Sequence, residues 1–389
     1  MNSEGRLNVL ILPRWYPNRY DPMPGLFVKS QAEALSLHCN VTVLYVHPDP
    51  DCPSKKEFDL SFENGVRAIR VYYRPGNNRI RRWIRFYQAH MDGLGMIKGD
   101  LPGLIHVHVL TREGLMGYLI ARRLRIPYVI TEHWSRYFPE NDFFRGFFKV
   151  RFTRFLVSRA AAVMAVSGKL KQAMIAKGIR HPEFFVVPNT VDTERFHLPA
   201  GPPSGEKKIV LHVSCFDDRS KNITGLLDAV RILARKRTDF VLHLAGDGPD
   251  LTRIREYASG LGLTEQTVVF TGLRSEGELA GDYGNACFTV LSSRFETFGT
   301  VIIESLACGT PVLATDTGIA AEVLNEANGL LVKPGDSEGL VNGLDAMLDR
   351  CNASDRTRVK KSLGDRYTPN NVAGRLMEIY RKVLDINDV

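Results

Sequence analysis

Short apolar runs and longer segments with helical spacing alternate along this chain. Residues 7–12, 41–46, 66–73, 104–109 and 162–166 are rich in aliphatic and aromatic side chains and read as strands, and residues 127–131 add another. Between them, residues 26–37, 113–124 and 167–177 read as helices, the first with apolar side chains at helical spacing and the last with Ser167 placed to cap it. Residues 199–206, PAGPPSGE, have the composition of a linker. The alternation then resumes, with strands at 209–214, 240–245, 287–291, 311–314 and 330–333 and helices at 223–235, 300–307, 336–350 and 370–384. This order predicts an α/β fold of two doubly wound, Rossmann-like domains facing a cleft. The boundaries expected are 1–198 for the first domain, 199–206 for the linker, 207–368 for the second domain and 369–389 for a terminal helix.

Two segments carry an unusual mixture. In residues 79–87, Ile80, Trp83, Ile84 and Tyr87 recur at i, i+3, i+4 and i+7, while Arg81, Arg82 and Arg85 fall largely off that stripe. Such a helix either turns its stripe to the core and its arginines to water, or lies on an anionic membrane surface. Residues 143–156 interleave phenylalanines with cations that include Arg145 and Lys149. Interleaving of this kind suits a core, a membrane, or in other settings single-stranded nucleic acid. No nucleic-acid-binding signature accompanies it, so no nucleic-acid partner is expected.

Composition narrows the class. A chain of 389 residues, 44% hydrophobic and 24% charged, is long enough for two cores and has the balance of a globular protein. Its six cysteines are scattered with no C-x-x-C pair, which argues against a disulfide framework or zinc site and fits a reducing cytoplasm. The first 13 residues lack the apolar core of a signal peptide, and no run approaches the roughly 20 apolar residues of a membrane span. A cytoplasmic protein, peripheral at most to the inner leaflet, is expected. The net charge of +8 is uneven: residues 1–200 hold 29 Lys/Arg against 17 Asp/Glu, and residues 201–389 hold 22 against 26. A basic first half suggests an acidic partner.

The richest chemistry lies in residues 287–314, where an apolar strand, a glycine loop, a short helix and a second strand follow one another. Phe298, Gly299 and Thr300 bring backbone N–H groups to a helix N-terminus, where unpaired donors and the helix dipole favour an anion such as phosphate. Glu296 in the loop and Glu304 in the helix each offer acceptors to a vicinal diol; solvated or locally capping glutamates are the plain alternative. Gly25, after a Pro-rich loop and before a helix, reads either as a tight turn or as a phosphate approach. His106, His108 and His133 raise a metal reading, but no metal or other cofactor is expected.

Glu296-Thr-Phe-Gly followed by Glu304-Ser-Leu-Ala-Cys-Gly-Thr-Pro-Val resembles the E-x7-E signature of family-4 retaining glycosyltransferases. The matches run from Leu7 to about Leu384 and imply the GT-B fold, with a terminal helix that crosses back onto the first domain. In that resemblance Glu304 would hold the ribose diol and Glu296 the sugar hydroxyls of a nucleoside-diphosphate sugar. Lys221, Arg219 and the amides of Gly25 and Gly299 would hold the diphosphate. Gly246 matches a G-x-G-P turn, Leu273 and Arg274 positions flanking the base, and His133 a T-x-H motif beside the donor sugar. His106 and His108 match an H-x-H strand end of mainly structural role, with His108 the nearer to the cleft. Cys215 stands where the family usually has an arginine, so that Arg219 either substitutes or the site has one cation.

The function implied is retaining transfer of a hexosyl group to a glycan or lipid-linked acceptor in surface polysaccharide synthesis, with Glu296, His133 and Lys221 nearest the chemistry. Arg81, Arg82, Trp83, Arg85, Arg145 and Lys149 are the acceptor or membrane candidates. A nucleotide-sugar epimerase of the same fold, and a non-catalytic basic protein binding membrane or nucleic acid, are the alternatives. Oligomeric state is open.

Overall fold

A computed structural model describes residues 6–97, 99–141, 143–201, 205–351 and 355–385. The chain divides into two compact units: Met1–Thr190 with Pro369–Val389, and Val191–Thr368. The first unit therefore closes at Thr190, ahead of the expected boundary at 198. The reason is packing: Phe196 sets its ring 5.9 Å from that of Tyr283, and Arg195 pairs with Glu276, both within the second unit. The expected linker falls partly on residues 202–204, outside the described residues, as do residues 386–389 of the terminal segment.

Eight strands form the sheet of the first unit: β1 (Asn8–Pro13), β2 (Asn40–Pro48), β3 (Lys56–Glu63), β4 (Val66–Tyr73), β5 (Leu104–His108), β6 (Tyr128–Glu132), β7 (Ala162–Ala165) and β8 (Phe184–Val186). Their order is β3-β4-β2-β1-β5-β6-β7-β8, and every pairing is parallel except β3 with β4. All six residues of β1 are buried, as a strand covered on both faces must be. One face is covered by the helices Leu26–Ser36 and Pro369–Val383, so that Val28 and Leu35 share a cluster with Val9, Ile11, Leu376 and Tyr380.

β9 (Lys208–Val213), β10 (Phe240–Ala245), β11 (Val268–Gly272), β12 (Phe288–Leu291), β13 (Val312–Thr315) and β14 (Gly329–Val332) make the second sheet. It is parallel in the order β11-β10-β9-β12-β13-β14. The helices Ile223–Ala234 and Ser337–Arg350 pack Leu226, Val230, Leu344 and Leu348 onto it. In each sheet the winding reverses once, between β1 and β5 and between β9 and β12. At such a reversal the loops leaving the carboxyl ends of adjacent strands diverge, and a crevice opens where ligands bind.

Three expectations change. The Arg79–Gly95 helix buries Phe86, Ala89, His90 and Gly93, a face about a third of a turn round the helix from the expected stripe. Ile80 is 72% exposed and Ile84 49%, so the stripe does not face the core. Residues 147–159, to which the sequence reading assigns no element, form the helix Phe147–Arg159. Cys287 and Cys351, 64 residues apart with Cα atoms at 5.4 Å, are joined as a disulfide, where unpaired thiols were expected. Cys287 opens a strand and Cys351 ends a distant helix, a meeting that cysteine spacing does not reveal. Among the described residues no helix is long and apolar enough to cross a membrane.

Candidate functional site

The reversal of the second sheet brings together the loops that follow β9 and β12. From the first comes Lys221, at the end of the short helix Asp218–Lys221; from the second comes Glu296. Lys221 Nζ donates to Glu296 Oε1 at 2.5 Å, and Ser293 Oγ donates to the same oxygen at 2.8 Å. The pair is largely withdrawn from water, with side chains 18% and 13% exposed. Burial alone would lower the Lys221 amine, but the Glu296 charge and hydrogen bond hold it above its usual range. This is a lysine kept charged beside a carboxylate, at the carboxyl ends of the parallel strands of the second sheet.

The Glu296 loop is tied down from three sides. Thr315 at the end of β13 donates its hydroxyl to the Ser293 carbonyl at 2.6 Å, and Ile319 N donates to Phe298 O at 2.9 Å. Arg294 donates to the Asp218 carbonyl at 2.7 Å, which links the two loops directly. Gly318 closes the arrangement: its φ is 54°, and a Cβ there would lie 2.2 Å from Phe298 O and 3.0 Å from Glu296 Cβ. No side chain fits between these loops.

Gly299, with φ 91°, then opens the helix Thr300–Ala307 with no side-chain cap. Its first N–H groups therefore lack side-chain acceptors, as at an anion site. Phe298 is buried rather than open to a ligand, its ring 6.1 Å from Tyr367. One turn into the helix, Glu304 accepts a hydrogen bond from Tyr283 Oη at 2.8 Å. Burial raises its carboxyl to about 7, against the lowering effect of that hydrogen bond.

The remaining donor candidates are distributed around this core. Arg219 is exposed on the Asp218–Lys221 helix, and Cys215 is exposed just after β9. Gly246 is dictated by its own backbone: a Cβ would lie 1.9 Å from the Ser214 carbonyl oxygen. Leu273 is 56% exposed, and Arg274 beside it pairs with Asp282 at 3.1 Å and Glu278 at 3.7 Å.

In the first unit the three histidines do converge. His106 and His108 alternate to one face of β5 with ring centroids 4.1 Å apart, and His133 follows β6. His108 Nδ1 lies 3.0 Å from His133 Nε2, and His106 is held between Thr131 Oγ1 and Tyr380 Oη, both at 2.7 Å. Burial holds all three below the usual histidine range, His108 at about 3, so the rings are neutral near pH 7. His133 Nδ1 and His108 Nε2 are buried without a hydrogen-bond partner, the condition that calls for a ligand or water. Among the described residues no group of three or more His, Cys, Asp or Glu could hold a metal ion. Glu132, fully buried, accepts from the amides of His133 and Trp134 at 2.9 Å and so fixes the loop after β6. Gly25, φ 75°, opens the helix Leu26–Ser36: a Cβ would lie 2.1 Å from the Trp15 carbonyl oxygen, so the loop folding on itself already requires glycine.

Comparison with known proteins gives this geometry a family. The family model described as "Glycosyl transferases group 1" matches residues 194–362, and "Glycosyl transferase 4-like domain" matches residues 24–190. The chain belongs to the GT-B glycosyltransferases. Over 362 residues it is 26% identical to the putative teichuronic acid biosynthesis glycosyltransferase TuaC of Bacillus subtilis, covering 87% of this chain and 88% of that protein. Over 182 residues it is 30% identical to the lipopolysaccharide 1,6-galactosyltransferase of Escherichia coli, covering 46% and 50%. Sucrose-phosphate synthase from Thermosynechococcus elongatus superposes with a TM-score of 0.81 at 20% identity, over 98% of this chain and 100% of that one. Anabaena HepE in complex with UDP and glucose does so at 0.76 and 19%, over 97% and 100%. These two likenesses establish the fold.

Reading this glycosyltransferase by motif missed Tyr283, Ser293, Thr315 and Gly318. The Asp-Thr-Gly of residues 316–318 is a turn signal that marks Gly318. Tyr283, inside the helix Glu276–Asn285, has no local signal. The acceptor candidates are tied to backbone: Arg82 donates to Gly76 O at 3.3 Å, Arg85 to Arg74 O and Pro75 O at 3.0 Å, and Lys149 to Phe143 O at 2.6 Å. Arg81 reaches Asn77 at 3.3 Å.

Proposed function

We propose that this glycosyltransferase moves a hexosyl group from a nucleoside-diphosphate sugar to a glycan or lipid-linked acceptor of surface polysaccharide synthesis, with retention of configuration. The observation that carries the donor reading is the Lys221–Glu296 pair at the reversal of the second sheet, its carboxylate on the loop that runs into the open helix N-terminus at Gly299. On donor binding, Lys221 turns to the diphosphate and the Glu296 carboxylate is released to the sugar hydroxyls. The lysine charge and the Gly299 and Thr300 amides then stabilise the negative charge that builds on the leaving diphosphate. Glu304 takes the ribose diol. Arg219, Leu273 and Arg274 keep the phosphate and base roles that the family resemblance gives them, and His133 the donor-sugar role. A cation and amides serve the diphosphate here in place of a metal, so chelator should leave transfer unchanged.

Uridine diphosphate is the first nucleotide to test, because a neighbour of the same fold was solved with UDP and glucose. Relatives named for teichuronic acid and lipopolysaccharide synthesis support a surface-glycan acceptor. The basic charge of residues 1–200 supports an acidic one. Calorimetry with nucleoside diphosphates, on the native chain and on Glu304→Ala, tests the donor site. One nucleotide should bind and be lost in the variant; equal affinity in both would sink the assignment. Release of free nucleoside diphosphate with no acceptor present would favour an epimerase.

A further inference from the structure

The first unit carries a second basic feature away from its histidines. Residues 143–159 hold five cations, Arg145, Lys149, Arg151, Arg154 and Arg159, and no carboxylate. Within the helix Phe147–Arg159, the core side takes Thr153, Leu156 and Val157. Phe148, Phe152, Phe155 and Arg159 follow one another at four, three and four residues and so share one face. That face is open: Phe148 is 85% exposed, Phe152 42% and Phe155 38%, with Phe147 beside it at 75%. A groove of about 930 Å³ runs between Phe144 and Ser158 along it.

At its C-terminal end this helix meets another cavity, of about 660 Å³, lined by Tyr118, Arg122, Arg125, Pro127, Tyr128 and Arg159 among others. The two are joined by the Phe155 ring, 5.3 Å from Tyr118 and 5.6 Å from the Arg159 guanidinium. No lining residue is acidic, and among the described residues Arg122, Arg125 and Arg159 make no ion pair. Two helices, Arg112–Leu124 and Phe147–Arg159, end here. Their C-terminal dipoles supply about half a negative charge each. Three full positive charges exceed that, and the cavity keeps an unbalanced excess. Its residues 125–127 and Ala161 precede β6 and β7 and Tyr128 opens β6, so the cavity lies at the amino ends of these strands, opposite to the carboxyl ends that His133 and Gly25 follow. Filling it leaves the candidate site free.

We infer that this face docks on an anionic phospholipid surface, with headgroup phosphates in the Arg122–Arg125–Arg159 cavity and the Phe147–Phe155 side chains in the interfacial region of the same leaflet. Both halves are needed. Phenylalanines without neutralising carboxylates insert at a headgroup boundary, and each cation near an anionic surface adds to the attraction. Over the roughly 16 Å from Phe148 to Arg159, apolar and cationic groups lie along one line, as a flat interface requires. The inference goes beyond the donor reading and does not depend on it.

Flotation of the full chain with vesicles of neutral phosphatidylcholine, and of the same lipid with phosphatidylglycerol, tests it. Binding is expected only to the anionic vesicles. It should fall at least fivefold in an Arg122→Gln, Arg125→Asn, Arg159→Gln variant and in Phe148→Ser, Phe152→Ser. A variant with the same charge loss elsewhere, Arg235→Gln, Lys236→Gln, Lys361→Gln, should bind as the native chain does. Unfolding midpoint and nucleotide affinity, read on each variant, separate loss of the surface from loss of fold or of the donor site. Equal binding by all three variants would overturn the inference. So would preferential binding of single-stranded oligonucleotide, or of inorganic phosphate with no vesicle binding.

Discussion

Glu304 is a carboxyl whose state matters to both stability and ligand. Its pKa stands at about 7 in the folded chain against an ordinary value of 4.5. Between those values the folded chain holds a proton that the unfolded chain has released, so stability falls as pH rises through this window and levels off above it. The full shift corresponds to about 3 kcal/mol. Glu304→Gln should flatten the dependence of the unfolding midpoint on pH between pH 4 and 8. Ribose hydroxyls donate best to the ionised form, so nucleotide affinity in the native chain should rise severalfold from pH 6 to 8 relative to the variant. Lys221 and Glu296 separate binding from chemistry. Lys221→Met should weaken nucleoside diphosphate binding at least tenfold. Glu296→Gln should spare that binding within about threefold and lower transfer by about 10²–10³, the range found when a stabilising group is removed.

A loop, not a helix or strand, sets the position of Glu296, and Gly318 is where a second loop touches it. An alanine there would need both a left-handed backbone and space already held by Phe298 O and Glu296 Cβ. Gly318→Ala should therefore cost about 2–3 kcal/mol, measured by denaturant unfolding. It should also reduce transfer more than it reduces nucleotide binding, because the displaced group is Glu296. Unchanged transfer would show that the Glu296 loop need not be held. Gly25 and Gly246 follow the same logic with Trp15 and Ser214: their glycines were legible as turns, but the carbonyls that exclude a Cβ were not.

At the scale of the whole chain, the last helix completes the first unit from the far end of the sequence. Tyr380 Oη is hydrogen-bonded to His106 Nδ1 at 2.7 Å across 274 residues, and Val372, Leu376 and Ile379 join the cluster around β1 and β2. Tyr380→Phe leaves a buried histidine nitrogen without a partner and should cost about 1–3 kcal/mol. Removal of residues 369–389 uncovers a sheet face and should expose the first unit to proteolysis while nucleotide binding in the second unit persists.

The sequence by itself determined the alternation of buried strands and helices, the two α/β units and the E-x7-E element, because each depends on short-range periodicity or on a contiguous motif. It also showed that cations and phenylalanines interleave at 143–156. Tertiary structure alone decided which way the Arg79–Gly95 stripe faces, that Thr190 closes the first unit, that Cys351 reaches Cys287, and that Tyr283, Ser293, Thr315 and Gly318 surround the two glutamates. Each of these is a contact between elements far apart in the chain, fixed by the order in which parallel strands are wound. No local pattern of residues encodes that order's neighbours one by one; the sheet, once assembled, brings them together.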